Sequence, residues 1–223
     1  MGGTYAIGGL TIEWLGHSSV GVYGKKTIYI DLFGEVLKGN ESKADLIIST
    51  HGHRDHYDVA AVNQLSHETT KVVIKSGCDR KGLKPREVTE LDVPGTCVVD
   101  GVEIRAVPAF NVKRVRGPGI PFHPEGFGMG IVATVEGVKL YYAGDTEFIP
   151  PMKNLKEERI DVAFLPIGGT YTMDADEAVE AVMAIEPRII IPVHYNHNKD
   201  TTADAAEFKR KVEEKSSARV VAL

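Results

Sequence analysis

The chain has 223 residues, a length that fits one large domain or two small ones. Its hydrophobic fraction of 43% and charged fraction of 26% are typical of folded proteins and exclude the disordered and fibrous classes. With 26 Lys and Arg against 31 Asp and Glu, the formal net charge is -5. No global positive field is therefore available to hold nucleic acid, and we expect no stable nucleic-acid binding.

The two cysteines, Cys78 and Cys97, are too few for a disulfide framework and are not spaced as a metal-binding pair. We expect both to be ordinary thiols of the core or of a loop. The first residues do not resemble a secretory signal, and no run reaches the ~18 apolar residues that a membrane helix needs. These features favour a cytoplasmic protein without a membrane anchor.

In the first half of the chain, short apolar runs separated by Gly, Asp and Pro predict mainly strands. The predicted strands are 10–15, 19–23, 27–30, 46–49, 71–74, 87–93, 96–99 and 102–107. One helix is predicted from 57 to about 65. The Asp100-Gly101 pair between the last two strands is typical of a hairpin turn.

The second half predicts strands and helices in alternation. The strands are 129–135, 138–142, 161–166, 188–193 and 219–222, and the helices are 174–185 and 202–215. The first of these helices has Asp174 as its N-cap and a capping box with Glu177. Many strands followed by such alternation favour two packed sheets with helices outside, an αββα sandwich. We expect residues 1–223 to form a single domain.

The most informative segment is His51-Gly52-His53-Arg54-Asp55-His56, which directly follows the apolar strand 46–49. Three imidazoles and a carboxylate within six residues form a ligand set that zinc, iron and manganese all accept. A surface loop that is rich in histidine by chance is the alternative. The position after a buried strand favours a metal site.

This segment resembles the signature of the metallo-β-lactamase superfamily, whose fold is the αββα sandwich. The resemblance implies that His51 and His53 hold one metal ion and that Asp55 and His56 hold a second. It also implies further ligands downstream, each placed after a strand.

Two downstream ligands match the family pattern well. Asp145 in Ala-Gly-Asp-Thr corresponds to the aspartate that bridges the two metals, and His194 corresponds to the last histidine of the second site. The remaining histidine of the first site is expected to be His123. Its rivals are Asn111, which stands where some relatives place that histidine, and His67, which is expected to be exposed near a helix end.

Within the superfamily, the chain is similar over nearly its whole length to the small metal-dependent hydrolases of the L-ascorbate-6-phosphate lactonase-like group. The resemblance rests on Trp-Leu-Gly-His-Ser-Ser at 14–19, Tyr-Ile-Asp at 29–31 and Gly-Gly-Thr-Tyr at 168–171. His17 either approaches the site from the side or is a buried structural imidazole. Asp31 is expected to orient a ligand histidine, and Tyr171 either contacts the substrate or belongs to a tight turn.

Lys113, Arg114 and Arg116 form a basic cluster before His123. The cluster is either a solvated loop or a binding site for an anionic group such as a phosphate, which Arg side chains recognise well. His197 is expected at the rim of the site or on the surface.

These residues together predict a hydrolase with two divalent ions, zinc first and manganese or iron as alternatives. Such ions lower the pKa of water toward about 7 and so supply hydroxide at neutral pH. Asp55 is expected to orient this nucleophile and to accept its proton. The expected substrate is a small, anionic or phosphorylated ester, lactone or phosphodiester, and a homo-oligomer is possible. A mononuclear-iron dioxygenase and a non-catalytic, metal-bearing regulatory protein of the same fold are the alternatives.

Overall fold

The protein, described here over residues 3–223 from a computed structural model, contains two seven-stranded β-sheets. The first sheet takes its strands in chain order. They are β1 (Thr4–Ile7), β2 (Leu10–Gly16), β3 (Ser19–Tyr23), β4 (Thr27–Ile30), β5 (Ala44–Ser49), β6 (Ser66–Lys75) and β7 (Glu87–Leu91). Strands β1 to β4 form an antiparallel meander, whereas β4 to β7 run parallel. The carboxyl ends of β4 and β5 therefore lie at the same edge.

The second sheet is built from seven of the remaining strands, and a separate two-stranded hairpin lies between two of them in the chain. In chain order these strands are β8 (Gly95–Val99), β9 (Val102–Ala109), the hairpin strands β10 (Val115–Gly117) and β11 (Ile120–Pro121), β12 (Gly128–Val135), β13 (Val138–Tyr142), β14 (Val162–Pro166), β15 (Ile189–Val193) and β16 (Arg219–Val220). The sheet order is β16-β15-β14-β13-β12-β9-β8, and β13 to β16 are parallel. This sheet thus also gathers several carboxyl ends at one edge.

Three α-helices lie on the outer faces of the two sheets. They are α1 (Val59–Leu65), α2 (Ala175–Ile185) and α3 (Ala205–Lys215). Each begins directly after an aspartate whose side chain accepts hydrogen bonds from the first backbone N–H groups, which satisfies donors that a helix otherwise leaves unpaired. Short 3₁₀ segments occupy Gly34–Val36, Pro150–Glu158 and Lys199–Thr201.

Apolar side chains fill three layers. The inner faces of both sheets pack together, with Ile30 and Ile48 of the first sheet in one cluster with Ile131 and Phe164 of the second. Helix α1 packs on the outer face of the first sheet, and α2 and α3 pack on the second. Strands β14 and β15 are buried at every residue because both of their faces are covered. The predicted αββα architecture is confirmed.

The structure differs from the sequence-based expectation mainly at element ends. The last helix starts at Ala205 with Asp204 as its cap, because the backbone at Thr202, which follows a 3₁₀ turn, and at Asp204 is extended. Strand β6 is longer than predicted, so His67 lies exposed on a strand instead of near a helix end. Strand β1, the β10–β11 hairpin and the 3₁₀ segment 150–158 were not predicted.

Among residues 3–223, no helix is long and apolar enough to cross a membrane. Both cysteines are free; Cys78 is buried and Cys97 is half-buried.

Candidate metal centre

The ligand-type side chains lie where parallel strands of the two sheets end. The segment His51–His56 follows β5, Asp145 follows β13 by three residues, and His194 directly follows β15. In open sheets of this kind, side chains placed after parallel strands converge at one edge. The approach of Asp145 requires Gly144, which has a φ of +66°; a Cβ there would lie 2.8 Å from the carbonyl oxygen of Met129.

Three imidazoles form what we call the histidine cluster: His51, His53 and His123. Nε2 of His51 lies 3.0 Å from Nδ1 of His53, and Nε2 of His123 lies 3.2 Å from the same atom. Zinc binds imidazole nitrogen at about 2.0–2.1 Å, which in a tetrahedral site separates the nitrogens by about 3.3 Å. The spacing of the histidine cluster therefore suits a single divalent ion.

A second group, the carboxylate cluster, consists of Asp55, His56 and His194. The Oδ2 atom of Asp55 lies 3.5 Å from Nε2 of His56 and 3.5 Å from Nε2 of His194. All three side chains point into the same space, and both imidazoles are almost fully buried. This cluster offers one carboxylate oxygen and two nitrogens to a cation.

Asp145 lies between the two clusters and presents one oxygen to each. Its Oδ2 is 3.2 Å from Nε2 of His123, whereas its Oδ1 is 3.2 Å from Nε2 of His56 and 3.3 Å from Nε2 of His194. A carboxylate that faces both ligand groups has the geometry of a bridge between two ions.

The donor atoms fit a divalent cation chemically as well as geometrically. Nε2 of His56, Nε2 of His194 and Oδ1 of Asp145 are buried without a hydrogen-bond partner in the protein. Buried polar atoms are costly unless they are satisfied, and a cation at this place would satisfy all three. The nitrogen and oxygen donors suit zinc, manganese or iron.

The charges of the site favour a cation too. Burial raises the pKa of the Asp145 carboxyl, but the imidazoles of His194 and His56 outweigh it, and the net pKa lies well below the usual range. Burial lowers the pKa of His194, but the Asp145 carboxylate outweighs it and raises the pKa to about 9. Without another cation the site would therefore take up protons to balance its carboxylates.

Asp31 lies behind the candidate ligand His56 and is not itself a candidate ligand in the structure. Its Oδ2 accepts a 2.6 Å hydrogen bond from Nδ1–H of His56, and it also accepts bonds from the backbone N–H and the hydroxyl of Thr50 at 2.7 and 2.6 Å. The Thr50 hydroxyl lies 3.1 Å from Nδ1 of His51. Asp31 thereby fixes Nε2 of His56 toward the carboxylate cluster, as a partner behind a metal ligand does.

Asn111 and His67 were the rivals of His123 as a ligand. The Oδ1 atom of Asn111 accepts hydrogen bonds of 2.8 Å from both the backbone N–H and Nδ1–H of His123. Asn111 therefore orients His123, whose Nε2 faces the other histidines. His67 does not reach the centre; its ring bonds Thr69 on β6.

His17 lies beside the carboxylate cluster. Its Nε2 is 2.9 Å from Oδ2 of Asp55, and its ring centroid is 4.0 Å from that of His194. Burial lowers the pKa of His17 to about 4, so the neutral ring donates its Nε2–H to Asp55. Its carbonyl accepts the backbone N–H of His194 at 2.7 Å, which ties the two residues together.

The basic cluster before His123 was expected to be either a solvated loop or an anion-binding site. The Arg114 guanidinium pairs with Glu177 at 2.5 Å and Asp174 at 3.1 Å, and its Nε donates to the carbonyl of Gly169. These contacts fix Arg114 and its loop, and they leave no pair of guanidinium N–H groups free to bind a substrate. Lys113 and Arg116 are exposed.

Tyr171 does line the centre. A cavity of about 210 Å³ opens beside the metal-binding side chains, and its wall includes Tyr171 and Phe122. The two rings meet edge to face, with centroids 4.9 Å apart. His197 is exposed at the rim, where its ring packs against His17 at 4.7 Å and Phe33 at 5.3 Å.

Sequence reasoning missed Thr50 and Phe127 as contributors to the site and considered Asn111 only as a rival ligand. Thr50 and Asn111 position ligand histidines, and Phe127 packs its ring against His51, His53 and His123 with centroids 4.9–6.1 Å apart. Thr50 could have been suspected from its place between the strand and the first histidine. Phe127 carries no comparable signal, because its contacts depend on how the long loop folds back.

A sandwich of two sheets that gathers histidines and aspartates from several strand ends defines a metal-binding protein of the αββα class. A sequence model of the beta-lactamase superfamily domain matches residues 11–194. The chain belongs to this superfamily and is a metal-dependent hydrolase.

Similar proteins carry the same description. A UPF0173 metal-dependent hydrolase of Methanoculleus marisnigri is 34% identical over 217 residues, covering 96% of this chain and 93% of its own. One from Thermoplasma acidophilum is 37% identical over 208 residues, with 90% and 89% covered. The solved structure of Igni18, a metallo hydrolase of Ignicoccus hospitalis, superimposes with a TM-score of 0.79 at 28% identity and covers 96% of this chain and 94% of its own.

Proposed function

We propose that the protein is a hydrolase with a dinuclear metal centre that cleaves a small ester, lactone or phosphodiester. The observation that carries the proposal is the placement of Asp145, with Oδ2 toward the histidine cluster and Oδ1 toward the carboxylate cluster. A single ion would leave one of these groups of buried donors unsatisfied. We propose zinc as the resident ion, with manganese or iron able to take the same donors.

We propose that His51, His53 and His123 hold one ion, that Asp55, His56 and His194 hold the other, and that Asp145 bridges them. When bound, two divalent ions make a shared water acidic enough to act as a nucleophile near neutral pH, and they stabilise the negative charge that develops on the substrate. The chain's own residues provide the remainder of the chemistry.

Asp55 accepts the proton of the attacking water in this proposal. Burial raises the pKa of its carboxyl, but the imidazoles of His56 and His17 outweigh this effect and keep the carboxylate ionised. The 2.9 Å hydrogen bond from His17 fixes the carboxylate's direction. We propose that the hydroxyl of Tyr171, a residue that lines the cavity, donates a proton to the leaving group.

We also propose that residues 1–223 work as one domain. The candidate ligands come from both sheets, and one apolar cluster joins the inner faces of both. Neither sheet alone would hold the centre.

The test combines metal counting with hydrolysis assays on the zinc-loaded protein, using 4-nitrophenyl acetate and bis(4-nitrophenyl) phosphate. We expect two ions per chain by elemental analysis, and hydrolysis of at least one probe that chelation abolishes and zinc restores. A protein that binds one ion at saturation would contradict the dinuclear proposal. Turnover that survives full chelation would contradict the metal mechanism itself.

A further inference from the structure

We propose that the centre selects a substrate whose group next to the scissile bond is small, apolar and uncharged, and that Phe122 and Tyr171 recognise this group. The inference rests on the proposed hydrolytic function and specifies the substrate class for the same site. It departs from the expectation of an anionic substrate that the sequence suggested.

The shape and lining of the cavity carry the inference. Its volume of about 210 Å³ is below the roughly 300–1,000 Å³ of sites that enclose drug-sized ligands. Five of its seven lining residues are candidate metal ligands: His53, Asp55, His123, Asp145 and His194. Phe122 and Tyr171 are therefore the only lining side chains free to contact the non-reacting part of a substrate.

The lining contains no lysine or arginine to pair with an anionic substituent. The guanidinium of Arg114, a candidate anion-binding residue in the sequence, forms ion pairs with Glu177 and Asp174. Arg116 is exposed outside the cavity wall, and its charge adds to burial in lowering the pKa of His53. An anionic group pressed against the two aromatic rings would lose hydration without gaining a cationic side chain as its partner, which is costly.

The segment that supplies Phe122 also exposes apolar side chains. Of the six exposed large hydrophobic side chains in the described part of the chain, four lie between residues 112 and 127: Val112, Val115, Ile120 and Phe127. This segment contains the β10–β11 hairpin. Exposed apolar side chains in the segment that supplies an aromatic lining residue favour an uncharged substrate group over an ionic one.

Two esters that differ at one position test the inference. In 2,2,2-trifluoroethyl butyrate the acyl chain ends in a methyl group, and in mono(2,2,2-trifluoroethyl) succinate it ends in a carboxylate. The leaving group is the same in both esters, so a difference between their rates reports on the acyl chain. In both reactions water adds to the carbonyl carbon, the C–O bond to trifluoroethoxide breaks, and this group leaves as trifluoroethanol after taking a proton. Release is followed by ¹⁹F NMR.

We expect the zinc-loaded protein to prefer the butyrate by about tenfold or more in kcat/KM, because the carboxylate loses hydration against the rings. Phe122→Ala should reduce this preference to about threefold or less by lowering kcat/KM for the butyrate, with the metal content unchanged. Tyr171→Phe keeps the ring and should keep the preference. Met183→Ala, an exposed apolar side chain on α2 outside the cavity lining, is the control and should leave both values unchanged.

Binding gives a readout that does not depend on turnover. The corresponding amides, N-trifluoroethyl butyramide and N-trifluoroethyl succinamate, resist cleavage and serve as ligands in thermal-shift measurements. We expect stabilisation by the butyramide at a lower concentration than by the succinamate, and loss of this difference in Phe122→Ala.

Cleavage of the succinate ester at a rate equal to or higher than that of the butyrate ester would overturn the inference. A loss of succinate ester hydrolysis in Arg116→Gln would also overturn it, because it would reveal an anion-binding site at the rim. Cleavage of bis(4-nitrophenyl) phosphate but of neither ester would also overturn it while leaving the hydrolase intact. Absence of cleavage of every probe by the fully zinc-loaded protein would instead remove the proposed function on which the inference rests.

Discussion

The histidine cluster and the carboxylate cluster are held in place by different chemistry. In the histidine cluster, neutral groups orient the rings, with the Thr50 hydroxyl near His51 and the Asn111 amide bonded to His123. In the carboxylate cluster, a buried carboxylate, Asp31, holds His56. The carboxylate cluster includes Asp55 among its three members, and Asp31 lies behind His56. The histidine cluster has no carboxylate in either position, so the carboxylate cluster carries more negative charge.

This difference predicts unequal affinity for cations. A carboxylate behind a histidine raises the basicity of the ligand nitrogen, whereas an amide oxygen does so less. The carboxylate cluster should therefore keep its ion when the histidine cluster has lost one. Each variant below changes one part of this asymmetry.

The largest effect is expected for Asp145→Asn, because Asp145 presents one carboxylate oxygen to each cluster. The amide offers one neutral oxygen in place of two charged ones, so both ions should bind more weakly. We expect a loss of about 1,000-fold or more in kcat/KM for 4-nitrophenyl acetate and fewer than two ions per chain after dialysis. Asp176→Asn, an exposed aspartate paired with Lys211, is the control. Two retained ions with normal activity would remove Asp145 from the bridge.

The next largest effect is expected for His123→Ala, which should remove the ion from the histidine cluster and leave the other ion bound. We expect one ion per chain by elemental analysis and a loss of about 100-fold or more in kcat/KM. The matched variant Asn111→Ala keeps the ring but frees its Nδ1–H, so it should weaken the same ion by about tenfold in affinity. His67→Ala should change neither quantity. Metal content that is undiminished in His123→Ala would exclude His123 as a ligand.

Asp31→Asn tests the other half of the centre. It removes the charge behind His56, and we expect about 10–100-fold weaker binding of the ion in the carboxylate cluster. The half-loaded protein, obtained by limited chelation, makes the comparison direct. Its remaining ion should be weakened by Asp31→Asn and not by His123→Ala, as measured by competition with a chelator. The reverse pattern would place the tighter site at the histidine cluster.

The sequence allowed the αββα fold and most of the candidate site to be predicted, because both depend on local signals. Apolar runs between Gly, Asp and Pro mark the strands, and the segment His51–His56 holds four donor groups in six residues. Asp145 and His194 were recognised because the resemblance to the superfamily, carried by that segment, implies ligands placed after strands. Such signals need no knowledge of distant contacts.

Other parts depend on contacts between residues far apart in the chain, which no local pattern encodes. Asn111 meets His123 across 12 positions, and His17 meets Asp55 across 38. Arg114 was expected either in a solvated loop or at an anionic group of the substrate, but its partners Asp174 and Glu177 lie on the cap and first turn of α2, about 60 positions away. Its environment became visible only with the tertiary structure.

The smallest effect is expected for His17→Phe, which concerns the direction of a side chain and not the binding of an ion. A phenyl ring can still pack on His194 and Phe33, but it cannot donate to Oδ2 of Asp55. A hydrogen bond to a charged group contributes about 1.5–3 kcal/mol, so its loss corresponds to about a tenfold or larger decrease in kcat. We expect this decrease with KM for 4-nitrophenyl acetate unchanged and both ions retained, because Asp55 keeps its carboxylate but loses its fixed orientation.

The matched control for His17→Phe is His197→Phe. His197 packs on the same ring of His17 but lies at the rim and has no contact with Asp55. We expect its kcat to stay within about twofold of the parent protein, since only a hydrogen bond to the charged group is worth a larger factor. If His17→Phe instead lost an ion, His17 would act as a ligand of the carboxylate cluster, in keeping with the closeness of His17, Asp55 and His194. The carboxylate cluster would then exceed the histidine cluster in donors as well as in charge, and its higher cation affinity would follow from both.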